Sequence, residues 1–183
     1  MADKPDQGGG QIQVDGTAIA DSVLAGLYHG WSRLRRDHGF PHPDDLDEAE
    51  LGTAQPYVLR VKVLAEDNFL YETAGARVHA DSDPSGLTLE EALPPGPYRD
   101  HMQTQYRMAL RGAEGVYTLI DYFSIDGALL RSMHRLFLPL SQDGHVISHM
   151  LVGQRSVQGG PWTQPLWQCE LGPIRIRETI PLY

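Results

Sequence analysis

One stretch, Leu129 to Gln154, limits the folds open to this chain more than any other. Two apolar, β-prone runs flank Ser141-Gln142-Asp143-Gly144. An Asp-Gly pair between such runs is the strongest short-range hairpin signal, because both residues tolerate the backbone of a tight turn. A lone hairpin is marginal in water, so this one must join a larger sheet or lie under a helix. A second pair, Asp126-Gly127, closes another strand-like run, Gly115 to Ile125. The spacing therefore predicts a three-strand meander. Counting outward from a turn at 142–143 sets His134 opposite a residue near 151 and leaves His149 diagonal to it at best.

Upstream, Tyr57 to Leu64 alternates, with Leu59, Val61 and Val63 on one face, and Phe69 to Ala74 reads as its hairpin partner across Glu66-Asp67-Asn68. Gly75 breaks that strand, and Ala76 to Ala80 reads as a short helix. Thr88-Leu89-Glu90-Glu91 is a capping box. Pro94-Pro95-Gly96-Pro97 launches a helix over 98–111, with Tyr98, Met102, Tyr106, Ala109 and Leu110 on one face and His101 and Gln105 on its flank. Before the first strand, Ile19, Val23, Leu24, Leu27, Trp31 and Leu34 form one helical stripe, with Asp21 in the first turn and Gly39 and Pro41 at the end. That stripe faces either its own domain or a second copy.

The plan is α+β: a five-stranded antiparallel sheet, helices between its second and third strands, and an N-terminal amphipathic helix. The divisions expected are a disordered tail at 1–16, the helix at 17–39, the folded domain at 40–155 and a C-terminal tail at 156–183. The tail carries a weak strand pattern, Ile174 to Ile180, which docks either on the domain or on a neighbour.

The net charge of −9 argues against nucleic acid or an anionic membrane surface as partner. Arg33-Leu34-Arg35-Arg36, the compact basic run, sits beside acidic residues and reads as a solvated helix end. No stretch approaches the ~18–20 apolar residues that span a bilayer, and Met1 to Gln13 has no apolar core of a signal peptide. One cysteine, Cys169, excludes an internal disulfide and a Cys-based zinc site. A cytoplasmic protein is the default.

Reaction chemistry finds little support in the residues. Ser132, His134 and Asp121 are the components of a nucleophilic triad, but no Gly-x-Ser-x-Gly elbow accompanies them. Neither a Gly-x-Gly-x-x-Gly nor a Walker run occurs. The carboxylates at 44–50 with His38 and His42 lack diagnostic ligand spacing, so no metal site is assigned. No catalysis is expected.

Three groups of residues do resemble a family. Leu27-Tyr28-His29-Gly30-Trp31 through Arg35, with Phe40-Pro41 and Asp44-Asp45-Leu46, resembles the opening of a bacterial family of short, single-domain PAS-like proteins. Phe69 to Arg77 with Ser85 to Glu90 is similar to its second strand and helical insert, and Arg135 to Gly144 to its last hairpin. The resemblance spans about 20–154; Gly75 to His79 is less apolar than the pattern, and the tail lies outside it. It implies a sensory or regulatory domain that binds a small molecule or protein partner, with no cofactor specified. Haem is not assigned to His101, since a haem site also needs an apolar pocket of haem size. A flavin photosensor needs a cysteine on the insert, and Cys169 sits in the tail. The expected pocket lies between the 98–111 helix and the inner sheet face: Tyr71, Tyr98, His101, Met102, Tyr106, Tyr122, Met133 and Arg135. The competing reading is a filled-core interaction module that pairs with a second copy through Ile19, Val23, Leu27 and Trp31.

Overall fold

The computed structural model describes residues 18–35, 39–65, 68–79, 82–112, 114–158 and 164–182. The expected tail at 1–16, Arg36, His38 and the Glu66-Asp67 turn lie outside the described residues. Strands β1 (Val58–Ala65) and β2 (Asn68–Ala74) form the first hairpin. Strands β3 (Gly115–Ser124), β4 (Leu129–Leu140) and β5 (His149–Ser156) form the meander. Among the described residues the sheet has six strands where five were expected, in the order β2-β1-β5-β4-β3-β6 and antiparallel throughout. The addition is β6 (Leu171–Leu182), drawn from the C-terminal tail and paired with β3 from Gly115↔Leu182 to Ser124↔Leu171. As an edge strand it tolerates Pro173 and Pro181 and stays largely exposed, which is why its alternation is faint.

Helices cover both faces of the sheet. On one lie α3 (Leu89–Ala92) and α4 (Pro97–Gly112), packed on Leu59, Val61, Ile120, Phe137 and Val152. On the other lie α1 (Ser22–Leu34) and α2 (Glu48–Leu51), packed with Val58, Tyr117, Leu136, Leu138 and Leu151. Burial on both sides explains why the second half of β4 is continuously apolar rather than alternating. The α1 stripe faces its own sheet: Ile19, Leu27 and Trp31 are buried in the chain's own core, Val23 packs against it, and the Trp31 indole N–H donates to the Pro139 carbonyl at 2.9 Å. Pairing with a second copy through those four residues would require undoing this packing. Among the described residues no helix is long and apolar enough to cross a membrane.

Local chemistry moves several expected boundaries. Asp21 is the N-cap of α1, accepting from the Val23 and Leu24 N–H groups at 3.0 Å, and its other oxygen pairs with Arg155 at 3.0 Å. The helix stops at Leu34, before Gly39: Arg35 turns extended, its guanidinium 5.0 Å from the Trp31 ring and its Nε donating to the Gly39 carbonyl. The β4–β5 connection is a loop from Ser141 to Ser148, not a two-residue turn. Asp143 does turn the chain there, accepting from the His145 and Val146 N–H groups at 2.9 and 2.8 Å. The loop is also anchored from outside, since Phe40 N–H donates to the Gly144 carbonyl and Ser141 N–H to the Pro41 carbonyl. The Thr88–Glu91 capping box forms as expected.

The short helix expected over 76–80 is absent from its described part, residues 76–79, which form a turn. The Gly75 and Arg77 N–H groups are instead taken by the carbonyls of Val58 and Pro56, at 2.8 and 2.7 Å. This close approach requires glycine, because a Cβ on Gly75 would lie 2.4 Å from the Gln55 carbonyl oxygen and 2.6 Å from Pro56 backbone atoms. Gly75→Ala is accordingly expected to destabilise the fold by about 1–3 kcal/mol in urea unfolding, with an unchanged m-value.

Candidate functional site

Strand register places a polar row across an otherwise apolar sheet face. Arg135 on β4 lies opposite Thr118 on β3 and Gln154 on β5. All three are buried, and Arg135 is 0% exposed. Its Nε donates to the Gln154 side-chain carbonyl at 3.4 Å, its Nη2 to the Tyr98 hydroxyl at 2.9 Å, and its Nη1 to the Tyr122 hydroxyl. The guanidinium lies 5.8 Å from the Tyr98 ring and 5.5 Å from the Tyr122 ring. Every acceptor is neutral, and among the described residues no carboxylate forms an ion pair with it. A guanidinium does not shed its proton in a protein, so this is a buried charge without a counter-charge, a costly arrangement.

Helix α4 lies above this row because Tyr98, Met102, Gln105, Tyr106 and Ala109 share its buried stripe. Tyr106 packs between Phe69 and Phe137, with ring centroids at 4.9 and 5.9 Å, and its hydroxyl meets that of Tyr71 at 3.4 Å. Burial raises the ionisation of Tyr71, Tyr106 and Tyr122 above the ordinary phenol range, so all three remain neutral donors and acceptors. His101 presents its ring edgewise to Tyr122 at 5.6 Å. Burial first, and the Arg135 charge second, push its pKa down to about 3. Three polar atoms in this layer have no hydrogen-bond partner among the described residues: His101 Nε2, Gln105 Oε1 and Thr118 Oγ1.

The His101 shift has a measurable consequence. The unfolded chain binds a proton at His101 below the ordinary histidine pKa while the folded chain does not, so stability rises with pH between about 3 and 6.5. That contribution is complete above the upper limit and is lost as the pH falls through the window. His101→Gln is expected to lose less stability than the parent between pH 7 and pH 4 in chemical unfolding. Equal losses would show that His101 does not titrate differently on folding.

Beside the Arg135 cluster a cleft of about 140 Å³ opens between α3, the start of α4 and the sheet. Leu59, Val78, Leu93, Met102 and Trp167 form its apolar walls; Tyr71, Tyr98, His79 and Gln154 add polar groups, and Glu91 lies at its rim. Gln154 is held by donating to the Val78 carbonyl at 3.0 Å. Trp167 reaches the cleft from the tail, its ring 5.8 Å from Tyr98.

Of the residues expected at a pocket, Tyr71, Tyr98 and Met102 line the cleft. Tyr122 and Arg135 lie behind Tyr98, Tyr106 lies behind Tyr71, and His101 contacts Tyr122. Met133 is buried on the same face opposite Ile120 and Ser156, away from the cleft. Sequence reasoning missed Gln154, Thr118, Val78 and Trp167. Gln154 and Thr118 are the cross-strand neighbours of Arg135 and follow from it once the register is known. Trp167 lies in a segment without periodicity and carried no such signal.

Other pairings of the sequence dissolve or change. His134 faces Arg155, and His149 faces Leu140, so these two histidines are not neighbours. The Ser132 hydroxyl donates directly to Asp121 at 2.6 Å, while His134 Nδ1 bonds the Tyr117 hydroxyl, so no histidine links serine to carboxylate. His149 is buried between the Ser148 hydroxyl at 2.9 Å and Glu72 at 3.5 Å. No family model, no curated protein and no solved structure matches this chain.

Proposed function

We propose that this chain is a PAS-like sensory or regulatory domain that binds a small molecule in the cleft between α4 and the inner sheet face, without catalysing a reaction. The observation that carries the reading is the convergence at one cleft of apolar walls with a few amphipathic groups, the usual make-up of a small-molecule site. Support for the PAS-like assignment comes from a β1–β2 pair and a β3–β5 meander separated by α3 and α4, and from the resemblance over 20–154. A second reading, an interaction module with a filled interior, draws on the mutual satisfaction of Tyr71 with Tyr106 and of Arg135 with Tyr98 and Tyr122.

Native mass spectrometry of the full chain separates the two. The ligand reading expects a small-molecule adduct on the gently purified protein, lost in Ala92→Phe, which adds bulk at the cleft wall. A folded chain free of any adduct, with a cleft that admits no compound in a thermal-shift library, would leave the interaction module as the better description.

A further inference from the structure

Resting on the reading of the cleft as a ligand pocket, we infer that its ligand is a small organic acid with one carboxylate and an apolar body, anchored by Arg135 behind Tyr98 and Gln154. The guanidinium offers five N–H donors, and the bonds to Gln154, Tyr122 and Tyr98 use three of them. The remaining two, one on each terminal nitrogen, have no acceptor among the described residues, and a carboxylate is the acceptor that a guanidinium binds most strongly. No acidic side chain among the described residues pairs with Arg135, although the arginine is fully buried.

The cleft and the arginine are one structure. Tyr98 and Gln154 both line the cleft and both hold Arg135, so a carboxylate that takes the place of the Tyr98 hydroxyl would reach Nη2. Tyr98 is the second residue of α4 and follows Gly96, whose φ of +151° favours glycine, so the gate is built at a helix end rather than in its middle. The Thr118 hydroxyl beside Arg135, without a hydrogen-bond partner among the described residues, supplies a further donor on the same sheet face.

One charge is the match. Arg135 is the fully buried cation of the cluster, His101 is neutral there, and the rim carries Glu91, whose carboxylate is held by the Thr88 N–H and hydroxyl. A phosphate dianion would bring a second negative charge into a low-dielectric layer whose one fully buried cation among the described residues is Arg135. The walls formed by Val78, Leu93, Met102 and Trp167 suit an aliphatic or aromatic body.

The test uses the full chain in thermal unfolding with linear monocarboxylates from propionate to octanoate and with benzoate, each against its primary amide. At about ten times its Kd a binding carboxylate is expected to raise Tm by roughly 3–6 °C, with its amide near zero. Arg135→Met is expected to abolish that shift. Tyr98→Phe, which leaves Nη2 without its acceptor, is expected to enlarge it and stands as the second variant if Arg135→Met does not fold. Equal shifts from acid and amide would overturn the anionic inference while leaving the pocket intact. No shift from either member of any pair would overturn both, and an undiminished acid response in Arg135→Met would place the anchor elsewhere.

Discussion

Trp31→Ala is expected to lower the midpoint of thermal unfolding by roughly 6–20 °C, the largest loss foreseen for any single truncation in this chain. The indole is 0% exposed and sits where α1 crosses the sheet, among Tyr28, Leu46, Leu138 and Leu140 of the same core. Truncating a buried tryptophan costs about 3–5 kcal/mol, because transfer free energy is lost and the cavity collapses only in part. It also strips the Pro139 carbonyl of its indole donor. Trp31→Phe keeps most of the apolar area and is expected to lose much less. The comparison also decides what α1 is for: loss of stability without change of oligomeric state, followed by light scattering, shows a helix whose role is to cover its own sheet.

The second large effect lies at Arg135. Tyr122→Phe removes the hydroxyl acceptor of a buried guanidinium, and hydrogen bonds to charged groups contribute about 1.5–3 kcal/mol. That loss is expected in the parent and should vanish or reverse in an Arg135→Met background, where the hydroxyl has no charge to serve. The coupling free energy from the double-mutant cycle is thus expected at about 1–3 kcal/mol. Additive effects would mean that the charge is compensated by something other than the tyrosines. With a saturating carboxylate the cost of Tyr122→Phe in the parent background should shrink, because the ligand then supplies the missing acceptor.

Much of this architecture is legible from residues alone, and the miss at the β4–β5 loop shows why the rest was not. Asp143-Gly144 does mark a reversal, but Asp143 caps a longer loop that also binds the backbone at Phe40 and Pro41. Those partners lie about a hundred residues away in sequence, so no local pattern announces them. The effect on register is a shift from a partner near 151 to Arg155 for His134. The shift is even, so side chains keep their faces while their neighbours change. Met133 and Arg135 therefore stand on the α4 side as anticipated, yet Gln154, the actual neighbour of Arg135, went unseen.

The sequence sets Arg135 on the inner face, but its complete burial among neutral acceptors was equally hidden. From sequence, an arginine on that face is as consistent with a partly solvated pocket wall as with complete burial. β4 lies between β3 and β5 in the meander itself, and the burial is completed as β6 extends the sheet beyond β3 and α4 closes over β3 and β4. The tail that supplies β6 also brings Leu166 and Trp167 to the same core and cleft. Its pattern was weak because an edge strand buries too little on either face to enforce alternation.

The sequence by itself determined the strands β1 to β5, the amphipathic stripes of α1 and α4 and the capping box of α3. Each follows from interactions within a few residues: side-chain periodicity, turn chemistry and helix capping. Only the tertiary structure decided that α1 covers its own sheet, that the tail forms a sixth strand, and that Arg135 lies buried among neutral acceptors beside a cleft. Those outcomes depend on which distant surfaces meet, and the free energy of burying one against another is a property of the assembled core rather than of any segment.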